Sequence, residues 1–191
     1  MEYFFYGRDR PGAGQLRFQT MELHWAFMDG YADQMIARGP TLSAPDGEMT
    51  GSMHLVDLPD PQAAHVFAFE EPFYRAGVFS EVLVRRWRNE LGRTMWEFSG
   101  GGQRYLVIGH GRPGSAGAPA EQLGYLRSAA ERSLIAHGPT FSEQGDWSGT
   151  VTLLEAPDLS TAEQLIDGSP EARAGLYAQL ELHHWRFGGR S

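Results

Sequence analysis

The chain has 191 residues, enough for one large domain or two of about 95, and a formal net charge of −8. It contains no cysteine, and all 16 basic residues are arginine, which excludes thiol nucleophiles, disulfides, thiolate metal sites, Schiff-base lysines and the phosphate-loop lysine. These two absences leave His, Asp, Glu, Arg and hydroxyl groups for chemistry. The acidic balance argues against a nucleic-acid partner.

The first predicted element is a strand over residues 3–7, an aromatic run that ends in the Arg-Pro-Gly turn at 10–12. The N-terminal segment has no basic region, so it does not resemble a signal peptide, and we expect a cytoplasmic protein. No apolar run approaches the ~20 residues of a membrane span, so we expect no membrane contact.

An amphipathic helix follows, because apolar residues recur in steps of three and four. We expect this helix to continue until Gly39 and Pro40 stop it. The apolar positions are Phe18, Met21, Trp25, Met28, Ala32, Met35 and Ile36.

The remaining elements of the first half are a strand over 51–56, a helix opened by Pro59-Asp60-Pro61, and a strand over 78–87. Glu71 precedes Pro72, which disfavours helical geometry and marks the end of the second helix. Residues 93–98 lie outside this pattern, and we expect them to form an extra edge strand that carries the chain across to its second half.

The second half repeats the first. Residues 3–7 and 10–12 match residues 105–109 and 112–114 at an offset of 102, and Gly39-Pro40-Thr41 matches residues 138–140 at an offset of 99. Residues 59–60, 75–77 and Trp87 recur at an offset of 98. We therefore predict two domains, 1–98 and 103–191, joined by a glycine-rich linker at 99–102.

Each unit has the order strand, helix, strand, strand, helix, strand, which is the ferredoxin-like split βαβ arrangement of the α+β class. Its helices cover one face of the sheet and leave the other bare. We expect that face to be buried against the second copy, so that the two sheets form a pseudo-dimeric α+β barrel within one chain. Such a chain can be monomeric or can pair again as a homodimer.

The first half resembles the YciI-like (YCII-related) family. The resemblance rests on Asp-Arg-Pro-Gly at 9–12, the helix stretch 17–24, Ala-Arg-Gly-Pro at 37–40, Gly-Ser at 51–52 and the segment 70–79. It implies a dimeric α+β barrel with a pocket that holds a histidine from the first helix and an acid that precedes a proline. By this correspondence the histidine is His24 and the acid is Glu71, which stands where the family pattern has Asp.

The residues support the same site independently. His24 lies at the border of the apolar stripe, and Arg17, seven residues earlier, lies on the same helix face. Glu71 and Glu70 are predicted at the C-terminal end of a helix, where negative charge is disfavoured unless a partner compensates. The alternatives are a half-exposed histidine and two solvated glutamates.

The repeat provides a comparison, because the scaffold positions persist in both halves while the candidate polar residues do not. The offsets pair His24 with Leu123, Glu71 with Ser169, Arg17 with Ala116 and Asp9 with Gly111. We therefore predict one site, in the first half. Asp9 and Ser52 are further candidates for substrate binding, each with a turn or strand-edge role as the alternative.

The predicted function is a small-molecule enzyme without a cofactor, in which His24 transfers a proton, Glu71 orients the imidazole and Arg17 holds an anionic substrate group. Elimination, including dehydrohalogenation, and isomerisation suit this chemistry. We expect no metal, because His54 and His65 lack a ligand cluster and His183 and His184 point to opposite faces of a strand. The alternatives are a non-catalytic binding module, a cofactor-free oxygenase and a haem protein with His24 as axial ligand.

Overall fold

The computed structural model describes residues 1–189, in which the two halves have the same order of elements. The first half comprises β1 (Glu2–Asp9), α1 (Gly14–Asp29), β2 (Met35–Leu42), β3 (Met49–Asp57), α2 (Pro61–Phe69), α3 (Pro72–Ala76) and β4 (Phe79–Trp87). The second half comprises β5 (Gln103–Gly111), α4 (Pro119–Ala130), β6 (Leu134–Phe141), β7 (Trp147–Ala156), α5 (Leu159–Asp167), α6 (Pro170–Arg173) and β8 (Tyr177–Trp185). Short 3₁₀ turns cover Ala32–Gln34, Met95–Glu97 and Glu131–Ser133.

The strands close into one antiparallel barrel in the order β1, β3, β2, β8, β5, β7, β6, β4. Each half contributes a four-stranded sheet, and the sheets join where β2 meets β8 and where β4 meets β6, each through two residue pairs. The ladder therefore closes on itself, although only the ends of these four strands pair across the joins. The predicted α+β fold with an intrachain pseudo-dimeric barrel is therefore confirmed.

Alternation along the strands divides the core into an inner and an outer layer. Phe4 and Tyr6 of β1 point into the barrel, where they meet Leu106 and Ile108 of the second half. The intervening side chains point outward and pack under the helices; Phe5 of β1, for example, meets Phe67 of α2. The face that a single copy would leave bare is thus buried by the other copy.

The first helix is shorter than its periodicity predicts, and this expectation was wrong. α1 ends at Asp29, and Met35 and Ile36 begin β2, which also contains Gly39 and Pro40. The apolar residues of a strand buried on both faces happen to continue the helical spacing, so periodicity alone cannot separate the two elements.

The predicted edge strand at 93–98 is also wrong. Residues 95–97 form a 3₁₀ turn, because the backbone N–H of Thr94 donates to Glu97 at 2.7 Å in a capping box. Met95, which is 1% exposed, points into the barrel core. The connection between the halves thus contributes a side chain to the core rather than a strand to the sheet. Within residues 1–189, the helices are too short or too polar to cross a bilayer.

Candidate functional site

The buried face of α1 is largely polar. Arg17, Thr20, His24 and Met28 point towards the sheet, whereas Phe18 is 76% exposed. The predicted placement of Phe18 on the buried stripe is therefore wrong. Buried polar groups need partners, so the contacts of Arg17 and His24 define what lies beneath the helix.

His24 contacts Glu71 directly. Nδ1 of His24 lies 2.5 Å from Oε1 of Glu71, and both residues are buried. The ring of His24 also stacks on Phe73, with centroids 4.1 Å apart and planes inclined by 12°. These contacts hold the imidazole in one orientation and leave Nε2 as the ring nitrogen without a protein partner among the described contacts.

Glu71 lies at the start of a helix rather than at the end of one, contrary to the expectation from the sequence. α2 ends at Phe69, and the short α3 begins at Pro72 with Glu71 as its N-cap. Oε2 of Glu71 accepts a hydrogen bond from the backbone N–H of Tyr74 at 2.9 Å. A carboxylate is favoured at this position because it satisfies an otherwise unpaired amide.

Arg17, Asp9 and Ser52 form a second buried group beside this pair. Nη1 of Arg17 lies 2.8 and 3.0 Å from the two oxygens of Asp9, and Nη2 donates to the hydroxyl of Ser52 at 2.6 Å. The guanidinium also lies over the ring of Phe73, at 4.5 Å from its centroid. Burial raises the pKa of Asp9 to about 6, although Arg17 opposes the rise.

The structure therefore brings together all five residues singled out from the sequence. Phe73 is in contact with both His24 and Arg17, and it joins the two polar groups into one site. The donors of Arg17 are directed at protein groups, so its guanidinium is engaged within the protein rather than free at the cavity wall.

A cavity of about 300 Å³ opens beside these groups, between α1 and the outer face of the sheet. His24 and Ser52 line it, together with His54 of β3, Arg38 of β2 and the segment 186–189 that follows β8. This volume is at the small end of the range for ligand pockets.

Sequence reasoning missed His54 as a site residue. The signal was present, because His54 lies two positions after Ser52 on one strand and so shares its face. Its ring lies 5.8 Å from that of His24. Burial, reinforced by the positive charges nearby, lowers the pKa of His54 well below 6.5, so this imidazole stays neutral.

The corresponding position in the second half is Gln122, not Leu123. Leu126 occupies the place in the second-half core that Met28 occupies in the first, and this sets the phase of α4. The pairing predicted from the sequence was wrong by one residue, because the two halves differ at the end of this helix. Two residues separate α1 from the following 3₁₀ turn, whereas α4 runs directly into its turn. Glutamine still replaces histidine, so the contrast between the halves stands.

Two of the other replacements agree with the repeat, and the pairing of Arg17 with Ala116 does not. Ser169 begins α6 as Glu71 begins α3, and Gly111 ends β5 as Asp9 ends β1. α4 begins only at Pro119, so Ala116 lies before the helix rather than on it.

The residues around His24 do not fit a haem. Glu71 engages one ring nitrogen, Phe73 covers a ring face, and the cavity suits a much smaller molecule than a porphyrin. Within the described part of the chain, no three His, Asp or Glu side chains are placed to hold a metal ion.

A family model, that of the YCII-related domain, matches residues 1–88 and again residues 104–186. Among curated proteins, none matches this chain.

Several solved structures are similar to the chain. The 5-chloro-2-hydroxyhydroquinone dehydrochlorinase of Burkholderia phenoliruptrix, in complex with 2,5-dihydroxybenzoquinone, is 31% identical over 49% of this chain and 99% of its own, with a TM-score of 0.46. A chlorite dismutase variant from Candidatus Nitrospira defluvii is 12% identical over 97% of this chain and 91% of its own, with a TM-score of 0.55. A haem-binding protein from Thermus thermophilus is 10% identical over 96% of this chain and 90% of its own, with a TM-score of 0.54. The latter two likenesses show the shared barrel fold.

Proposed function

The chain belongs to the YCII-related domain family, and from that membership and the geometry around His24 we propose that it is a small-molecule enzyme that works by proton transfer. In this proposal the domain over 1–98 carries the site, and the domain over 103–191, joined through 99–102, supports it. The reaction class is elimination or isomerisation without a redox cofactor.

The observation that carries the proposal is the buried contact between Nδ1 of His24 and Oε1 of Glu71. A carboxylate at this distance favours the tautomer with the proton on Nδ1, so Nε2 carries the lone pair. The same carboxylate stabilises the imidazolium that forms when Nε2 accepts a proton. Tyr74 holds the other oxygen of Glu71, which keeps the pair aligned.

In the proposed reaction, His24 acts as the general base. Nε2 of His24 takes a proton from an acidic C–H or O–H group of the bound molecule, and the bonding electrons move into the substrate. In an elimination, these electrons form a double bond and a leaving group departs with its own bonding pair. In an isomerisation, His24 returns the proton to a different atom. Ser52, held by Arg17, supplies a fixed hydroxyl at the cavity wall.

The experiment is an assay of the full chain against halogenated hydroquinones and enolisable small acids, which reads halide release and incorporation of solvent deuterium. His24→Gln should lower turnover roughly 100- to 10,000-fold, the usual contribution of a general base. Glu71→Gln should also lower turnover, because the amide cannot stabilise the imidazolium. His65→Gln is the control, since His65 is exposed on α2.

Turnover that survives His24→Gln would contradict the proposal. Ligand binding that weakens in both variants, with no turnover in any of them, would indicate a non-catalytic binding module instead. Turnover that stops when oxygen is removed would indicate a cofactor-free oxygenase.

A further inference from the structure

Arg38 contributes an incompletely partnered cation to the cavity. It lies on β2 directly opposite His54 of β3, and it lines the cavity beside His24. Its Nε is buried without a hydrogen-bond partner, and within residues 1–189 its one ion pair is with Asp29, whose oxygen lies 3.9 Å from Nη1. A buried N–H without a partner is costly, which makes an acceptor supplied from the cavity favourable.

Arg17, which also lines the cavity, differs from Arg38 in this respect. Asp9 neutralises the Arg17 guanidinium from within the protein, and Ser52 accepts a further hydrogen bond from it. A bound anion would have to displace those contacts in order to engage Arg17. At Nε of Arg38, by contrast, there is no hydrogen bond for an anion to displace.

The second half of the chain holds Arg38 in place. The backbone N–H of Gly188 donates to the carbonyl of Arg38 at 3.0 Å, and that of Arg186 donates to the carbonyl of Pro40 at 3.3 Å. A Cβ on Gly189 would lie 2.6 Å from Nη2 of Arg38, so the chain passes directly over the guanidinium. The segment 186–189 therefore forms a wall of the cavity and restricts the motion of Arg38.

The second half has no cation at the equivalent place. His137 of β6 stands where Arg38 stands on β2, and its Nδ1 lies 2.8 Å from the hydroxyl of Thr152, the residue that replaces His54. Burial lowers the pKa of His137 to about 3, so this imidazole is neutral. The positive charge thus accompanies the half that carries His24 and Glu71.

We propose that Arg38 binds an anionic group of the substrate, a carboxylate or an ionised hydroxyl, and so selects small acids for the cavity. The planar guanidinium can donate two parallel hydrogen bonds to such a group. Neutral His54 beside it adds a hydrogen-bonding group without competing for the negative charge. The inference rests on the proposed function for the role of His24, but anion binding itself can be measured without turnover.

The experiment measures binding to the full chain by ligand-observed NMR. The probes are benzoate and 2,5-dihydroxybenzoquinone, which are anionic at neutral pH, and their matched neutral forms, benzamide and the dimethyl ether of the quinone. Anionic probes should bind more tightly than their neutral partners, and Arg38→Gln should weaken anion binding roughly 10- to 100-fold. Arg38→Lys should weaken it less, because the charge remains but the planar fork is lost. Arg132→Gln, at an exposed position of the second half, is the charge-matched control.

Gly189→Ala is a second variant that keeps every charge. Its Cβ would push against Nη2 of Arg38, and the glycine φ of +124° disfavours any side chain, so anion binding should weaken in the same direction. The proposal would be overturned by equal binding of anionic and neutral probes, by no binding of either anion, or by unchanged anion binding in Arg38→Gln.

These outcomes separate this inference from the proposed function. His24→Gln should retain anion binding. Anion binding that depends on Arg38 in a chain without turnover would support the subsite and reject the enzyme. If neutral substrates are turned over at the same rate in the wild type and in Arg38→Gln, the result would support the enzyme and reject the subsite.

Discussion

The carboxylate of Glu171 accepts a hydrogen bond from the hydroxyl of Thr150 at 2.7 Å, and Thr150 is the second-half counterpart of Ser52. In the first half, the hydroxyl at this place is bound by the guanidinium of Arg17. A carboxylate has thus replaced a cation, and Glu171 is itself 1% exposed. The region that forms the candidate site in one copy is held together by internal hydrogen bonds in the other.

The first prediction concerns this buried carboxylate. Glu171 accepts hydrogen bonds from Thr150, from the hydroxyl of Tyr177 at 2.5 Å and from the backbone N–H of Ala118 at 3.1 Å. Glu171→Gln replaces an acceptor oxygen by a donor that faces other donors, so it should lower the free energy of unfolding by about 1–3 kcal/mol. Urea unfolding measures this loss, and ligand binding in the first half should stay unchanged. Glu163→Gln, on an exposed position of α5, should have little effect.

The second prediction concerns stability in acid. Burial holds the pKa of His137 near 3, against 6.5 for an exposed histidine, so the unfolded chain binds a proton over a pH range in which the folded chain does not. Stability therefore falls as the pH drops from about 6.5 towards 3, by up to about 1.4 kcal/mol per pH unit from this group. Unfolding measured across this range should be less steep in His137→Gln, which retains a group able to bond Thr152. A wild-type slope in that variant would contradict the assignment, and His65→Gln should keep the wild-type slope.

The third prediction concerns an ionic contact between the halves. Nη2 of Arg8 on β1 lies 2.6 Å from both oxygens of Glu181 on β8, and His110 and His183 also contact this carboxylate. Burial raises the pKa of Glu181, but these hydrogen bonds outweigh it and hold the pKa well below its usual value. Its contribution to stability should therefore be complete above the unfolded pKa of about 4.5 and be lost as the pH falls through the lower folded pKa.

Two matched variants test that contact. Glu181→Gln should cost about 1–3 kcal/mol of unfolding free energy at neutral pH, because it breaks the hydrogen bonds of a largely buried carboxylate. Glu81→Gln removes the other carboxylate that Arg8 contacts, but Glu81 is 63% exposed, so the loss should stay under about 1 kcal/mol. Equal losses in chemical denaturation would show that Glu181 contributes no more to stability than the exposed Glu81.

The fourth prediction concerns the two places where the sheets join, between β2 and β8 and between β4 and β6. A Cβ on Gly39 would collide with the carbonyl of Arg186, and a Cβ on Gly138 would collide with that of Arg88. Both Gly39→Ala and Gly138→Ala should therefore lower the melting temperature. Only Gly39→Ala should also weaken ligand binding, because the chain from Arg186 onward is a wall of the cavity. Gly124→Ala, which meets open space on α4, should raise stability by about 0.5–1 kcal/mol.

Part of the candidate site could be predicted from the sequence. His24 and Glu71 were identified by their motifs and by their loss from the second copy, and the structure brings them into contact. The reason given for Glu71 was wrong, because a five-residue helix after Pro72 has too little periodicity to be recognised. Arg17 was found, but its bonds to Asp9 and Ser52 could not be foreseen from spacing along the chain.

The sequence by itself determined the two-copy α+β architecture, because glycine, proline and apolar spacing act locally and repeat at a nearly constant offset. The absence of lysine and cysteine likewise limited the chemistry to His, carboxylate, Arg and hydroxyl groups. Only the tertiary structure decided which of these groups meet. His24 and Glu71 are 47 residues apart, and their contact depends on the phase of α1 and the start of α3. The cavity wall at 186–189 comes from the far end of the chain, because closing the barrel brings β8 beside β2.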